Sequence, residues 1–394
     1  MMNFNYYTPT KVIFGKNEEN NVGKFVSDFG GKKVLIHYGG GSAVRSGLID
    51  KVKKSLEESG IEYVELGGVK PNPRLSLIYE GIKLSKENGV DFILAVGGGS
   101  VIDSAKGIGY GISNPEIKDV WDLYLGKEKA NTCAPIGVVL TIAAAGSEMS
   151  GGSVVTNEDG QVKRSYNTDY SRPKFAIMNP EITYTLPEYQ ISSGSVDIMM
   201  HILERYFTPE PNLEVTDEIS EGILRTMIKN SRLSLENPKN YDARAEIMWC
   251  GSLAHNGLTG CGGIGDWASH QLEHELSGVY DVAHGAGLAA VWGSWARYVY
   301  KENPNKFARL GEKVFGIEKI ENVDNMAIKT IEAMENFFRS IKMPISIKEL
   351  LDREITNEEV LILAEKCSNN GQRTIGSFKK LDKEDMKNIY LMAR

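Results

Sequence analysis

The sequence predicts an α/β domain built on a parallel sheet at residues 1–189, followed by an all-helical domain at residues 190–394. Strand and helix patterns alternate through the first half, which is typical of parallel strands joined by helices. From about residue 190, long helical patterns follow one another with few strand signals. The total of 394 residues suits two domains of ~100–200 residues each.

Apolar runs and amphipathic periods predict the individual elements. In the first half the predicted strands cover residues 33–37, 61–66, 92–96, 136–140 and 174–178. Helices are predicted at 44–59 and 75–88, with another beginning at 101. In the second half the predicted helices cover residues 196–208, 214–235, 243–258, 266–276, 283–301 and 326–341. The change of pattern follows Leu186-Pro187, which places the boundary near residue 189.

Composition excludes several classes of protein. The net charge of −7 gives no attraction to a phosphate backbone, so we expect no nucleic-acid partner. No run reaches the ~18 apolar residues of a membrane span, so no membrane association is expected either. The N-terminus lacks the pattern of a secretory signal, and the four cysteines form no CxxC pair. These features predict a cytoplasmic protein.

Two predicted strands end in the same glycine-rich sequence. One runs into Gly39-Gly40-Gly41-Ser42, and the other into Gly97-Gly98-Gly99-Ser100 before a helix opens. Glycines let a backbone approach phosphate, and a helix N-terminus favours negative charge. The GxGxxG match is imperfect because Ile102 stands at the last glycine, and tight strand-to-helix turns are the alternative. Two such loops at parallel strand ends favour a Rossmann-like dinucleotide site.

A histidine cluster lies in the second half. Asp197 and His201 are spaced i, i+4, as are His270 and His274, and His284 follows shortly after. On a helix, residues spaced in this way share one face. One carboxylate with imidazoles is a natural ligand set for Fe²⁺ or Zn²⁺, so the pattern predicts a metal site. His255 has no such neighbours in the sequence, and we expect it to be structural.

Taken together, these motifs resemble the iron-containing alcohol dehydrogenase family over essentially the whole chain. The resemblance is nearest to its butanol dehydrogenase and NADPH-dependent aldehyde reductase branch. Besides the glycine and histidine motifs, it is carried by Tyr7-Thr8-Pro9-Thr10, Ile13-Phe14-Gly15, Pro71-Asn72-Pro73 and Ala145-Gly146-Ser147-Glu148. It implies a dinucleotide-binding α/β domain and an all-α metal-binding domain with the active site between them.

The resemblance also implies the roles of single residues. The metal ligands correspond to Asp197, His201, His270 and His284, while His274 corresponds to a histidine beside the substrate that does not bind metal. The cofactor contacts correspond to Gly39, Gly40, Gly41, Ser42, Asn72, Gly98, Gly99, Ser100, Asp103, Thr141, Lys163 and Leu186. The chain departs from the family's threonine-rich PTTAGTGSE segment at Ile142 and Ala145, which removes two hydroxyl groups near the cofactor.

The implied reaction is hydride transfer between NAD(P)H and a small primary alcohol or aldehyde, similar to butanol or butyraldehyde. A metal with an open position polarises the carbonyl oxygen, and His274 is the candidate proton relay. We expect Asp266 and Trp267 to orient His270 or to line the pocket. The family name favours Fe²⁺, although Zn²⁺ fits the same ligands. A homodimer is expected.

The first glycine loop predicts the choice of cofactor. NAD-preferring members of the family carry Asp at the position of Gly40, where this chain has no acid, and Arg45 lies close by. We therefore predict NADP(H) over NAD(H). Glu62 and Glu65 in the next strand are the objection, because either acid could bind an adenosine ribose.

Other functions remain open at this level. Glycerol dehydrogenases and dehydroquinate synthases of the same superfamily typically bind zinc through three residues, whereas this chain offers four. A metallohydrolase with a nucleotide site, or a nucleotide-binding sensor without catalysis, would use the same loops differently.

Overall fold

The computed structural model describes all 394 residues, and they form two compact units. One unit is an α/β layer structure made of Tyr7–Thr185. The other is helical and contains Leu186–Arg394 together with the first residues, Met1–Tyr6. None of the helices combines the length and the apolar character that a membrane crossing requires.

The α/β unit is built on a six-stranded sheet in which every neighbouring pair is parallel. The strand order is β1-β8-β5-β4-β2-β3. The strands of the unit are β1 (Lys11–Phe14), β2 (Lys33–Gly39), β3 (Glu62–Val69), β4 (Phe92–Gly97), β5 (Ile136–Leu140), β6 (Gly152–Asn157), β7 (Val162–Asn167) and β8 (Phe175–Met178). Its helices are α1 (Val22–Asp28), α2 (Ser42–Arg45), α3 (Leu48–Glu58), α4 (Leu75–Asn88), α5 (Gly99–Ser113) and α6 (Trp121–Tyr124). The predicted α/β class with a parallel sheet is confirmed.

Burial explains why the central strands have continuous apolar runs. Every residue of β4 and of β5 is buried, as is typical of strands covered by helices on both faces. Strands β2 and β4 are neighbours, with Tyr38 opposite Val96 in the register. Both glycine-rich loops therefore leave the same edge of the sheet from adjacent strands.

Helices α1 and α6 and strands β1, β6 and β7 have no counterpart among the predicted elements. Strand β1 pairs with β8 at one edge of the sheet, and β6 and β7 form a separate antiparallel hairpin. These three strands lack an apolar run long enough to be recognised in the sequence. The hairpin strand Val162–Asn167 is largely polar, which conceals it from a hydrophobic pattern.

The second unit is helical, as predicted. Its helices are α7 (Glu188–Tyr206), α8 (Glu214–Glu236), α9 (Tyr241–His255), α10 (Ala268–Tyr280), α11 (His284–Val299), α12 (Pro304–Phe315), α13 (Val323–Ser340), α14 (Ile347–Leu351), α15 (Asn357–Cys367) and α16 (Lys383–Ala393). Helix α7 is buried along most of its length and packs against α8, α9 and α11. It is the central helix on which the histidine cluster is assembled.

Two predicted helices differ from the observed ones for local reasons. The helix expected at residues 44–59 is interrupted at Gly47, whose left-handed φ of 74° separates α2 from α3. The helix expected from 196 begins earlier, at Glu188 directly after Pro187. Its first turns contain Ser192, Gly194 and Ser195, which interrupt the apolar period although all three are buried.

Candidate metal centre and cofactor loops

The four predicted metal ligands lie together on three helices. Asp197 and His201 come from α7, His270 from α10, and His284 from the first residue of α11. The Nε2 atoms of the three histidines lie 3.4 Å (His201), 3.7 Å (His284) and 4.0 Å (His270) from Asp197 Oδ1. Three imidazole nitrogens thus surround one carboxylate oxygen.

Most of this cluster is buried, which affects the protonation of His201. Asp197, His201 and His270 are buried, and His284 is partly exposed. Burial holds the pKa of His201 well below its usual value, with further lowering from the nearby His255 and His270. A neutral imidazole is the form that binds a metal ion.

Carboxylates behind two of the histidines fix the direction in which their rings point. Glu204 Oε1 lies 2.8 Å from His270 Nδ1, and the Glu273 carboxylate pairs with His284 Nδ1. A proton on Nδ1 leaves the Nε2 lone pair free to bind a metal ion. His270 Nε2 is buried and has no hydrogen-bond partner. Neither glutamate was among the predicted site residues; Glu204 lies about one helical turn after His201 on the buried helix α7.

A close helix approach at Gly285 positions His284. A Cβ built on Gly285 would lie 1.9 Å from the backbone oxygen of Ser193 on α7. Any side chain at this position would push the start of α11 away from α7. The glycine directly after His284 therefore allows this predicted ligand to reach Asp197.

His274 lies beside the cluster of four. Its ring centroid is 5.7 Å from that of His284 and 6.4 Å from that of His270. The side chain is partly exposed, and Glu273, His274 and His284 form a second group whose potential ligand atoms lie within 4.8 Å of one another. The Glu273 carboxylate in that group is already bonded to His284 and to the Ser277 hydroxyl.

Asp266 and Trp267, which were expected to orient His270 or to line the pocket, have different surroundings. The Asp266 carboxylate accepts backbone N–H groups of Ser377, Phe378 and Ala268, so it holds a loop while Glu204 orients His270. Trp267 does line the centre, with its ring edge-on to His201 and His270 at 6.0 and 5.3 Å.

In the α/β unit, the second glycine loop is closely packed against the segment that follows β5. A Cβ built on Gly98 would lie 2.0 Å from Ile142 Cγ2, and one on Gly99 would lie 3.1 Å from the Ala145 side chain. Only glycine fits at position 98. Ile142 and Ala145 stand where the family often has threonine. Their side chains are thus apolar contacts of the loop instead of hydroxyl groups.

Asp103 and Lys106 hold that same segment from helix α5. Asp103 accepts the Ser147 hydroxyl and, at 2.9 Å, the backbone N–H of Val154. Lys106 is fully buried and donates to the backbone oxygens of Ser147 (2.9 Å), Ser150 (3.0 Å) and Gly152 (2.6 Å). Burial lowers the pKa of Lys106 to about 8. Among the predicted cofactor contacts, Asp103 therefore has its carboxylate engaged by the Ser147 hydroxyl and the Val154 backbone.

The other predicted cofactor residues are distributed over both units. Lys163 on the β7 hairpin strand donates to Asn72 Oδ1 at 3.0 Å, and both side chains are buried. The backbone N–H of Thr141 donates to Gly97 O at 3.0 Å, which places Thr141 at the carboxyl ends of β4 and β5. Ser100 lies in the first turn of α5, and Leu186 belongs to the helical unit.

The first glycine loop presents an exposed, basic surface. Gly40 and Ser42 are exposed, and a Cβ built on Gly41 would lie 3.0 Å from Arg45 Nη1. Glu62 pairs with Lys33 at the amino ends of β2 and β3, whereas the loop leaves the carboxyl end of β2. Glu65 is paired with Lys53 at 2.7 Å. Because Glu62 begins β3 and Glu65 lies in its middle, neither acid is placed at the carboxyl ends of β2 and β3.

Both sets of residues fit the groups that the motifs imply. Metal–ligand bonds of ~2.0–2.2 Å place neighbouring donors about 3.4 Å apart, close to the spacing around Asp197. The Asp197 carboxylate, the converging Nε2 atoms and the buried His270 Nε2 without a hydrogen-bond partner supply the chemistry of such a donor set. In the α/β unit, the glycine cradle at Gly98 and the start of α5 provide the backbone N–H groups that a pyrophosphate requires.

Comparisons with known proteins agree with this architecture. The model of iron-containing alcohol dehydrogenases matches residues 9–180, and that of the C-terminal domain of the Fe-containing alcohol dehydrogenase family matches residues 191–394. A probable NADH-dependent butanol dehydrogenase 1 of Bacillus subtilis is 40% identical over 99% of each chain. The NADPH-dependent aldehyde reductase YqhD of Escherichia coli is 34% identical over 100% of each chain. The crystal structure of NADH-dependent butanol dehydrogenase A from Thermotoga maritima superposes with a TM-score of 0.95 at 38% identity, covering 100% of this chain and 99% of the other.

The fold and the site thus define an NAD(P)-dependent oxidoreductase that acts on alcohols and aldehydes. The chain belongs to the iron-containing alcohol dehydrogenase family. The resemblance inferred from the motifs is confirmed. These matches lend no support to the alternatives, a glycerol dehydrogenase- or dehydroquinate synthase-like enzyme or a metallohydrolase.

Proposed function

We propose that this enzyme transfers hydride between NADP(H) and a short, uncharged primary alcohol or aldehyde of about the length of butyraldehyde. The arrangement that carries the proposal is the convergence of three imidazole Nε2 atoms on Asp197 Oδ1 at 3.4–4.0 Å. Relatives named as butanol dehydrogenases and as an aldehyde reductase match along the full chain and support the substrate class.

Asp197, His201, His270 and His284 are the proposed ligands of a divalent metal ion, which when bound acts as a Lewis acid on a carbonyl or alcohol oxygen. Glu204 and Glu273 keep the Nδ1 protons of His270 and His284 in place. We propose Fe²⁺ as the resident ion from the family, with Zn²⁺ as the competing one.

His274 is the proposed proton-transfer residue. It is partly exposed and adjacent to His284, while the Glu273 carboxylate beside it is engaged by other groups. An unperturbed imidazole exchanges protons near neutral pH, which suits the interconversion of an alcohol and an aldehyde. Asp197, His201, His270 and His284 carry no proton-transfer role in this proposal.

A nicotinamide dinucleotide, when bound, would donate the hydride to an aldehyde or accept it from an alcohol. Its proposed contacts are the residues carried over from the family: Gly39, Gly40, Gly41, Ser42, Asn72, Gly98, Gly99, Ser100, Asp103, Thr141, Lys163 and Leu186. For Asp103 the contact would be through the backbone, because its carboxylate is engaged by Ser147 and Val154.

We further propose a preference for NADP(H). No acid lies at the first glycine loop, and Arg45 is close to Gly41. An arginine guanidinium and a serine hydroxyl suit a 2′-phosphate. Relatives named as NADH-dependent and as NADPH-dependent both match this chain, so the loop itself is the basis of this preference.

A homodimer in the cytoplasm completes the proposal, with domains at residues 1–189 and 190–394. Strand β1 has a neighbour on one side only, and Phe14 at its end is exposed, so the edge can accept another strand. All four cysteines are free thiols, which suits a reducing compartment. Light scattering coupled to size exclusion tests the dimer.

The decisive experiment is a cofactor-oxidation assay. Anaerobically purified enzyme with Fe²⁺ is mixed with NADPH and butyraldehyde, and the absorbance of NADPH is followed with and without a chelator. We expect oxidation that the chelator abolishes and added Fe²⁺ restores. Turnover that is insensitive to the chelator, or a strong preference for carboxylated or phosphorylated substrates, would contradict the proposal.

A further inference from the structure

His255, which the sequence pattern left without a role, packs directly on a proposed metal ligand. Its ring centroid lies 4.0 Å from that of His201, with the two ring planes tilted by 32°. The next ring, that of His270, is 4.7 Å from His201, and the indole of Trp267 is 6.0 Å away. His255 is thus the aromatic neighbour nearest to His201.

His201 differs from the other two imidazoles in how its ring is held. His270 and His284 each have a carboxylate at Nδ1, from Glu204 and Glu273. His201 Nδ1 is buried and has no hydrogen-bond partner. Metal-binding histidines usually rely on a contact at the second nitrogen to fix ring orientation. His201 must therefore be oriented by packing.

The local chain geometry keeps His255 in position. His255 is the last residue of α9, and the turn that follows is closed by the Asn256 side chain, whose Oδ1 accepts the Leu258 N–H at 2.9 Å. Gly257 in that turn has a left-handed φ of 103°. Trp267 packs near the other rings, 6.2 Å from His255. The ring of His255 is therefore placed by a defined helix end.

We propose that His255 is a positioning residue of the metal centre, whose flat ring fixes the orientation of His201 by packing against its face. This inference rests on the proposed metal site. The contact is made by the face of the His255 ring and not by a ring nitrogen. Another flat, apolar ring can therefore replace His255.

The test measures metal affinity directly. Wild type and the variants His255→Ala, His255→Leu and His255→Phe are stripped of metal, and the Kd for Zn²⁺ is measured by competition with a chromogenic chelator. We expect His255→Ala and His255→Leu to bind Zn²⁺ about 10-fold more weakly, as is usual when a residue supporting a metal ligand is lost. His255→Phe should stay close to wild type. The visible spectrum with Co²⁺ should change in the alanine variant and remain unchanged in the phenylalanine variant.

A matched control separates positioning from general damage to α9. Trp249 lies on the same helix and is 39% exposed, so Trp249→Ala should leave the Kd for Zn²⁺ unchanged. Thermal melts of all variants show whether each one folds.

Wild-type affinity in both His255→Ala and His255→Leu would overturn the inference and leave the metal site intact. Equal weakening in His255→Phe would overturn it by showing that a nitrogen is needed. Absence of Zn²⁺ binding to wild type would instead refute the metal site itself.

Discussion

At the residue scale, the chemistry of the centre depends on which nitrogen of each histidine is available. Glu204 and Glu273 occupy Nδ1 of His270 and His284, so both rings present Nε2 toward Asp197. His274 has the same helical spacing from His270 that His201 has from Asp197. The spacing alone therefore does not separate a metal ligand from a proton-transfer residue.

Substitution of single histidines should separate these roles. We expect His270→Ala and His284→Ala to lose bound metal, because each removes one of the converging nitrogens. His274→Ala should keep its metal and lose kcat by ~10²–10⁴, the range for a positioned proton-transfer group. Metal analysis of the purified variants, with kcat measured on each, is the check. Loss of metal from the His274 variant would overturn the assignment.

The Gly40→Asp substitution tests cofactor choice at one position. A Cβ built on Gly40 meets no atom within 4 Å, so the new side chain can be accommodated without strain. An added carboxylate repels a 2′-phosphate and can bond a ribose hydroxyl, which should shift the preference toward NAD(H) by ~1–3 kcal/mol. The measurement is kcat/KM for both cofactors in both proteins. A wild type that prefers NADH, or an unchanged ratio in the variant, would show that this loop does not select the cofactor.

At the element scale, helix α5 holds the segment after β5 with buried charges. Lys106 donates to two backbone oxygens in the segment after β5 and to a third at the start of β6, while Asp103 accepts from that segment and from β6. The same segment packs on Gly98 through Ile142. The conformation of the glycine loop is thus coupled to a buried lysine that does not itself belong to the loop.

Replacing Lys106 should therefore weaken both stability and cofactor binding. The Lys106→Met variant leaves the backbone oxygens of Ser147, Ser150 and Gly152 without their donor and Asp103 without its nearby cation. Breaking such a buried arrangement costs about 3–5 kcal/mol, which at ~2–4 °C per kcal/mol lowers the Tm by roughly 6–20 °C. We also expect a weaker Kd for NADPH, measured by fluorescence. The exposed Lys86→Met on α4 is the control and should change neither value; an unaltered Tm in Lys106→Met would contradict the coupling.

At the scale of the whole molecule, a bound metal should stabilise the folded chain. The ligands come from α7, α10 and α11, which are brought together only by folding, so the ion binds the native state and not the unfolded one. At a free metal concentration of 100 times Kd, the stabilisation is ~2.7 kcal/mol. A chelator should lower the Tm of wild type, and Fe²⁺ added anaerobically should restore it. The His270→Ala variant should show no chelator effect; the same Tm for wild type with and without chelator would exclude a tightly bound ion.

The sequence predicted most of the fold because its local signals are strong. The buried strands β4 and β5 appear as unbroken apolar runs, and the predicted bounds of α4 match those observed. The polar hairpin strand β7 and the edge strand β1 went unrecognised because partial exposure removes the hydrophobic pattern. One predicted helix is divided in two at Gly47. The left-handed φ of this glycine depends on the turn in which it lies, so the helical period alone did not predict the break.

The sequence by itself determined the family, the two structural classes of the chain and the pairs of residues that share a helix face. Asp197 with His201, and His270 with His274, follow from the helical period alone, because neighbours along a helix are fixed by local geometry. Only the tertiary structure decided which helices meet. It brought Glu204 to His270, allowed His284 to approach through Gly285, and placed His255 on the face of His201. These contacts join residues far apart in the chain, and they depend on how helices pack rather than on any period in the sequence.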